Sequence, residues 1–345
     1  MKMNRTNIGI VGLNFGRLIA EQIRTGRGKK YFEVAALCDA DFRKAKESAE
    51  KMGVKAYPDI DTLLADAEIP AIGLFTGPAG RAGLIRKIIR AGKDVMTTKP
   101  FELDAEEAMS VLKEAEKAGR IVHMNSPSPL LSPDLRQIKE WTEKYDLGRP
   151  VACRCDTWAS YMEKADGSWY DDPEKCPVAP VFRLGIYLIN DLVRLFGKAE
   201  EVCVMHSRII TERPTPDNAQ LGILFKNGVL ANIFASFCIK DSQYYKNSLV
   251  LNYERGTIYR NEGPLEYNSD GICRMSLVRP EGHNGAAVEH ARPEGMSGDY
   301  QWEAFFRAVN GEKFTAEITS EEIVEGVKII NAMAKADKTG RTVKV

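Results

Sequence analysis

The chain opens with a short apolar strand, a glycine-containing turn and a helix, and this order restricts the fold more than any other feature. The predicted strand, turn, helix and second strand occupy residues 7–11, 12–16, 17–25 and 32–37. The alternation continues with three further strands, at residues 71–75, 94–96 and 121–124. A βαβ series of this kind predicts a parallel, doubly wound sheet of the Rossmann type.

The turn at 12–16, GLNFG, predicts a nucleotide-binding loop. Small residues let a backbone approach a pyrophosphate, and the following helix N-terminus offers free N–H groups and partial positive charge. Asn14 stands where G-x-G-x-x-G has its second glycine, and asparagine tolerates positive φ better than other non-glycine residues. Asp39, at the tip of the second strand, is expected to bind the ribose diol and to repel a 2′-phosphate. The motif predicts NAD, with NADP disfavoured, bound by Gly12, Asn14, Phe15, Gly16 and Asp39.

Further candidate residues follow the other strands of this sheet. Ligands of open α/β sheets bind outside the carboxyl ends of the strands. Pro100 biases Lys99 away from the helical region, so its side chain is predicted to project into the cleft at that edge. The remaining cofactor-binding residues are therefore predicted to be Thr76, Gly77, Pro78, Lys99 and Asn125.

A proline-rich segment at 126–133, SPSPLLSP, marks the predicted domain boundary, which gives domains 1–126 and 127–345. Beyond it the predicted strands lie at 151–159, 201–209, 219–225, 229–237, 248–253 and 257–259. These consecutive strands have few covering helices, so we expect an α+β domain whose open, mostly antiparallel sheet leaves one face for a partner subunit in a homodimer or homotetramer. The last strand or helix is expected to pack back on the first domain.

The segment Val181–Gly197 carries apolar residues at three- and four-residue spacings, which predicts a helix. At about 100° per residue, one narrow polar sector contains Arg183, Tyr187, Asn190 and Arg194. This seam either faces water, the common position of a helical arginine, or lines a cleft in which Tyr187 does acid–base work. The position of Lys99 favours the second interpretation.

Composition excludes several classes of function. Lys+Arg and Asp+Glu both number 48, so the overall charge gives no sign of a nucleic-acid or anionic membrane partner. The start lacks an apolar signal-peptide core, and the chain has no run of about 18 apolar residues. The seven cysteines form no CxxC pair, which predicts neither a metal site nor a disulfide framework. We therefore expect a cytoplasmic protein without a metal.

Several segments, in this order, resemble the Gfo/Idh/MocA oxidoreductases, the group of glucose–fructose oxidoreductase and inositol dehydrogenase. They are IGIVGLNFG, LCDAD, GLFTGP, AGKDVMTTKP, LGIYLINDLVRLFG and LGILFKNGVLANI, and they span nearly the whole chain. The resemblance implies oxidation or reduction of a sugar, sugar acid or cyclitol with NAD or NADP. It also implies that the lysine before proline, here Lys99, lines the substrate site.

The helix departs from the common Asp-x-x-x-His pair of that family, because Arg183 and Tyr187 stand at these positions. Members with Gly-Ile-Tyr here use the tyrosine as acid/base, which implies that role for Tyr187. Thr98 replaces a common glutamate and Arg81 a frequent histidine, so we expect a more positive pocket and an acidic substrate. The catalytic residues are thus expected to be Lys99, Arg183 and Tyr187, and the substrate-binding residues Lys99, Arg183, Tyr187 and Trp158.

The predicted reaction is hydride transfer between a nicotinamide and an alcohol carbon. A free tyrosine has a pKa of about 10, and a neighbouring Lys99 and Arg183 would favour its phenolate. Two alternatives stay open. One is a glycosidase or lyase that retains NAD and acts by transient oxidation; the other is a non-enzymatic NAD- and sugar-binding sensor.

Overall fold

In the computed structural model, the chain forms two compact units. The structure describes residues 4–241, 245–263, 273–283, 285–312 and 314–345. The first unit contains Met1–Leu130 and Tyr300–Ser320, and the second contains Leu131–Asp299 and Glu321–Val345.

The first unit contains a six-stranded parallel sheet. Its strands are β1 (Thr6–Val11), β2 (Phe32–Cys38), β3 (Lys55–Tyr57), β4 (Ala71–Leu74), β5 (Asp94–Thr97) and β6 (Val122–Met124). The helices between them are α1 (Gly16–Thr25), α2 (Phe42–Met52), α3 (Ile60–Leu64), α4 (Arg81–Arg90) and α5 (Ala105–Lys117). The spatial order is β3-β2-β1-β4-β5-β6, so the chain adds strands on one side of β1 up to β3 and on the other side from β4 onward. This confirms the predicted doubly wound parallel sheet, and ligands bind at such a switch point.

The second unit contains a nine-stranded sheet. Its strands are β7 (Pro150–Trp158), β8 (Ala199–Ser207), β9 (Asn218–Phe225), β10 (Leu230–Ser236), β11 (Lys246–Tyr253), β12 (Gly256–Arg260), β13 (Met275–Glu281), β14 (Gly285–Ala291) and β15 (Val343–Lys344). The remaining helices are α6 (Pro133–Lys144), α7 (Ile186–Phe196), α8 (Trp302–Val309) and α9 (Ser320–Thr339). The order is β14-β13-β12-β11-β7-β10-β9-β8-β15, and only β7 and β10 pair in parallel. The prediction of a mostly antiparallel sheet is confirmed.

One face of this sheet is buried and the other is exposed. On β7, Cys153 and Cys155 are buried, whereas Arg154 between them is exposed. The same exposed face carries Leu230 of β10 and Met205 of β8, whose exposed fractions are 61% and 71%. The face is thus mixed, with apolar side chains set among polar ones.

Helix α8 belongs to the first unit. Its aromatic side chains surround Phe32 of β2, which stacks on Phe305 at 5.3 Å and contacts Trp302 edge-on at 5.7 Å between ring centroids. Glu303 accepts a hydrogen bond from the Tyr31 hydroxyl at 2.5 Å. The predicted second domain of 127–345 included α8. In the structure α8 belongs to the first unit, because it completes the core beside β1 and β2.

Within the ranges that the structure describes, the helices are all too short or too polar to cross a bilayer.

Candidate active site

The glycine turn lies against the end of β4. Gly12 has φ of +86°, and a Cβ there would come within 2.9 Å of the Phe75 carbonyl carbon. Its N–H donates to the Cys38 carbonyl at 3.0 Å, and the Gly16 N–H donates to the Gly12 carbonyl at 3.0 Å. Glycine is therefore required at position 12 by both conformation and space. Helix α1, which is described throughout, begins without a side-chain cap and has no acid in its first turn. Its N-terminus is consequently suited to an anion such as a pyrophosphate.

Asp39 is tied to this turn. Its carboxylate accepts hydrogen bonds from the Leu13 N–H at 2.7 Å and the Asp41 N–H at 3.0 Å. The structure thus brings together the turn and the acid that the sequence predicted as cofactor-binding residues.

Asn14 and Phe15 differ in their surroundings. Asn14 does not use the positive φ that asparagine tolerates, because the described non-glycine residues of positive φ are Asp146, Met162, Val178 and Asn261. The Asn14 side-chain oxygen accepts a hydrogen bond from Lys44 instead. The Phe15 ring is 39% exposed and packs edge-on against Phe75, with 6.1 Å between centroids.

Arg81 connects the loops that follow β4 and β5. Its guanidinium donates to the carbonyls of Thr98 at 2.6 Å and Phe101 at 3.2 Å, and also to those of Thr76 and Pro100. Glu102, in the loop after β5, links the same two loops, because its carboxylate accepts hydrogen bonds from the Gly80 and Ala82 N–H groups at 3.1 and 2.7 Å. The two loops, which include the predicted Thr76, Gly77, Pro78 and Lys99, are therefore held as one structure.

This arrangement gives Arg81 a different role from the one expected, which was to make the pocket more positive. Its side chain is only 1% exposed, and burial lowers its pKa to about 10, so it remains a cation at neutral pH. Because the buried guanidinium donates to four backbone carbonyls, Arg81 acts as a structural residue that holds these loops together.

Lys99 and Asn125 are adjacent. The Asn125 side-chain oxygen accepts hydrogen bonds from the Lys99 backbone N–H and from the Thr98 hydroxyl, both at 3.3 Å. Asn125 is 2% exposed, whereas Lys99 is half-buried. Asn125 thus supports the backbone that carries Lys99.

The segment predicted as one α-helix over 181–197 is two helical segments. Val181–Gly185 forms a π-helical turn, and α7 follows from Ile186 to Phe196. A Cβ at Gly185 would lie 3.0 Å from Val181 and 3.4 Å from Ile233 of β10, so glycine lets this turn pack on the sheet. Val178, just before the turn, has φ of +46°, which is strained for a β-branched residue. Single π-turns are frequent at functional sites.

Arg183 projects from this π-turn into a bidentate ion pair. Its guanidinium nitrogens lie 2.7 and 3.1 Å from the two carboxylate oxygens of Glu163. Its central carbon lies 3.9 Å from the ring centroid of Tyr170 and 4.6 Å from that of Tyr161. Aromatic rings and a carboxylate therefore fix Arg183 in position.

A second arginine stabilises the same loop. Arg213, whose side chain is 5% exposed, contacts Asp171 at 2.5 Å, Asp166 at 3.3 Å and Glu163 at 3.6 Å. The cluster thus combines two guanidinium groups with three carboxylates, and its full ionisation leaves one negative charge. The surplus of positive charge expected from Arg183 is therefore absent from this cluster, all of whose residues are described.

Tyr187 lies one turn beyond Arg183 and packs against a loop that follows β14. A Cβ at Gly298, whose φ is +103°, would be 3.0 Å from the Tyr187 ring. The preceding Ser297 donates its N–H to Asp134 at 3.1 Å and its hydroxyl to Asp191. The loop that touches the Tyr187 ring is consequently anchored.

The anchor is a fully buried charge cluster. Arg260 donates to Asp134 at 2.6 Å and to Asp191 at 2.9 Å, and all three side chains are at most 2% exposed. Burial raises the pKa of Asp191 to about 6, against the opposing effect of Arg260. Asp191, which follows Asn190 of the predicted polar seam, is therefore a structural residue and does not face water.

Other tyrosines beside Arg183 are poor candidates for acid–base work. The Tyr161 hydroxyl is 2.7 Å from that of Tyr245, and burial, together with Tyr245, raises the pKa of Tyr161 far above its ordinary range. Burial also raises the pKa of Tyr170. Both phenols stay protonated at neutral pH.

Trp158, predicted to bind substrate, contacts a different set of residues. Its indole N–H donates to Asp241 at 2.8 Å, and the Lys246 ammonium lies 5.7 Å from its ring centroid. In the described part of the chain, no group of three or more His, Cys, Asp or Glu side chains comes together as a metal site would require.

The fold, the glycine turn and Asp39 define a nucleotide-binding protein of the Rossmann class. Residues 6–126 match the model of an oxidoreductase family with an NAD-binding Rossmann fold, and residues 135–259 match the GFO/IDH/MocA C-terminal domain. Together these matches cover more than half of the chain. The chain therefore belongs to the GFO/IDH/MocA family of oxidoreductases.

Individual relatives are distant. An inositol 2-dehydrogenase/D-chiro-inositol 3-dehydrogenase of Lactiplantibacillus plantarum is 21% identical over 68% of each chain. An uncharacterized oxidoreductase of Schizosaccharomyces pombe is 27% identical over 48% of this chain, and the match spans 45% of that relative. The solved structure of a levoglucosan dehydrogenase complex with NADH has a TM-score of 0.77, 16% identity and 99% coverage of both chains. That likeness supports the fold.

Proposed function

We propose that this protein is an NAD-dependent oxidoreductase that transfers a hydride between the nicotinamide and a hydroxyl carbon of a sugar or cyclitol. The observation that carries the proposal is the turn at 12–16 with Asp39 hydrogen-bonded to its Leu13 N–H. The relatives named as inositol and levoglucosan dehydrogenases support a polyol substrate. The residues present fit a dinucleotide, because an uncapped helix N-terminus follows a turn whose Gly12 excludes a side chain.

NAD is the proposed form of the cofactor. Asp39 stands at the end of β2, beside the turn, and Asp41 follows it. A carboxylate here accepts hydrogen bonds from a ribose diol and repels a 2′-phosphate. We expect NAD to bind much more tightly than NADP, which a titration of protein fluorescence with NADH and NADPH measures.

The proposed chemistry divides between the cofactor and the protein. NAD supplies the hydride acceptor when it is bound. Tyr187 exchanges the proton of the reacting hydroxyl through its phenol oxygen, and Lys99 donates a hydrogen bond to the substrate oxygen and stabilises its negative charge. Arg183 holds the Glu163 carboxylate in position beside the proposed acid/base residue.

The test of this proposal is removal of the two groups that act on the proton and the oxygen. We expect Tyr187→Phe and Lys99→Met to lose at least about a hundredfold in kcat against a panel of sugars and cyclitols, while NADH binding is retained. Tyr57→Phe is the matched control, because the Tyr57 hydroxyl donates to Asp66 at 2.6 Å in the first unit. Full activity in Tyr187→Phe would remove Tyr187 from the mechanism.

The same assay separates the alternative functions. Product formation without net change in NADH absorbance would indicate a glycosidase or lyase that retains its cofactor. Sugar binding without turnover would indicate a sensor.

We also propose that the protein assembles as a homodimer or homotetramer through the exposed face of its nine-stranded sheet. Leu230 and Met205, both more than half exposed, support this surface as the contact.

A further inference from the structure

We propose that Glu163 determines substrate specificity: paired with Arg183, it makes the site select neutral polyhydroxyl substrates and discriminate against sugar acids. This inference rests on the proposed function, because it concerns the substrate of the same site.

The first step of the argument is the geometry of the pair. Arg183 is held on both oxygens of Glu163 and by the surrounding rings, and its side chain is 11% exposed. The Glu163 side chain is 35% exposed, so it is the more accessible member. The carboxylate is therefore the group that an incoming ligand meets more readily.

The second step is the hydrogen-bonding capacity of that carboxylate. An ionised carboxylate has about four acceptor positions, and the two bonds from Arg183 use two of them. Arg213 also donates to the Glu163 backbone carbonyl at 3.3 Å, which fixes the backbone of this loop. A fixed carboxylate with remaining acceptor positions suits the hydroxyl donors of a polyol, and a second carboxylate offers it no donor.

The third step is the position of the pair relative to the proposed acid/base residue. Arg183 and Tyr187 are four residues apart across the junction of the π-turn and α7. Residues four apart on a helix are neighbours on its surface, and the Tyr161 ring centroid lies 4.6 Å from the Arg183 guanidinium carbon. The pair therefore neighbours Tyr187 within one compact unit.

The fourth step is charge. The cluster contains Arg183 and Arg213 against Glu163, Asp166 and Asp171. Since the carboxylates outnumber the guanidinium groups, an acidic substrate would have to displace Glu163 from Arg183 or remain unpaired. Removal of the Glu163 charge would release Arg183 to bind a substrate carboxylate in its place.

The experiment compares wild type with Glu163→Gln, a variant of the same shape without the charge. Both are assayed with three pairs of compounds, namely glucose and glucuronate, galactose and galacturonate, and myo-inositol and quinate. We expect wild type to prefer the neutral member. We expect Glu163→Gln to shift the neutral-to-acid ratio of kcat/KM by about tenfold or more toward the acid, with NADH affinity unchanged. Glu174→Gln is the control, because Glu174 is 72% exposed in a surface pair with Lys338.

Binding to the NADH-saturated protein is measured in parallel by calorimetry. If wild type turns over none of the compounds, the proposed function fails for this panel, but the binding ratios still test the role of Glu163. Equal neutral-to-acid ratios for wild type and Glu163→Gln, in both turnover and binding, would overturn the inference. A wild-type preference for the acids would overturn it too.

Discussion

Arg81 and Arg183 are both cations at positions that the sequence assigns to a pocket, and in the structure each is matched by groups within its own unit. Arg81 is surrounded by backbone carbonyls, and Arg183 is paired with Glu163. Neither partner could be predicted, because carbonyls carry no sequence signal and Glu163 lies in a loop without periodicity. The residue type and its place at a strand end or in a helix were predictable; the compensation of its charge was not.

At the same scale, His123 makes the stability of the protein depend on pH. It is 7% exposed, lies between the rings of Phe305 and Phe314, and burial lowers its pKa to about 4. Between pH 6.5 and 4, His123 is protonated in the unfolded chain but stays neutral in the folded chain. The contribution of neutral His123 to the free energy of unfolding is therefore fully present above pH 6.5 and is lost as the pH falls. We expect the free energy of unfolding of the first unit to fall by about 2 kcal/mol from pH 7 to pH 5 through this residue.

His123→Phe should flatten this dependence, which urea unfolding at pH 7 and pH 5 measures. His290→Gln is the control, because His290 is exposed and bonds to the Ser276 hydroxyl at 2.9 Å. An unchanged pH dependence in His123→Phe would contradict the assignment.

At the scale of elements, the parallel sheet and most strands of the second unit were predictable, since their signals are local. The π-turn at Val181–Gly185 was not, because an apolar stripe at three- and four-residue spacing does not reveal one extra residue in a turn. Strands β13 and β14 were also missed. Pro280 lies near the end of the first, and the second, GAAVEHA, has weak alternation and few β-branched residues.

Helix α7 packs against the loop at 296–299, and adding one methyl group at Gly298 tests whether this contact positions Tyr187. We expect Gly298→Ala to displace the Tyr187 ring, because the new Cβ would lie 3.0 Å from it, and to lower kcat by about tenfold or more with little change in NADH affinity. Gly197→Ala is the matched control, since Gly197 also has a positive φ, +83°, but its Cβ would meet nothing within 4 Å. Equal activities of the two variants would show that backbone strain alone explains the effect.

At the scale of the whole molecule, the exposed face of the nine-stranded sheet is the proposed contact between subunits. We expect Leu230→Glu to place a charge at its apolar part and to convert the oligomer to monomers, as measured by light scattering after gel filtration. Leu18→Glu is the control, because Leu18 is 54% exposed on α1 of the first unit. A monomeric wild type, or an oligomer that survives Leu230→Glu unchanged, would contradict this assembly.

The return of Tyr300–Ser320 to the first unit has a consequence for biosynthesis. Phe32, near the start of the chain, needs Phe305 and Trp302 to complete its surroundings. A ribosome makes those residues only after it has made nearly the entire second unit. The sheet that is synthesised first therefore cannot complete its core until residue 305 of 345 has been synthesised. A fragment cut at the proline-rich boundary would leave that aromatic surface in water.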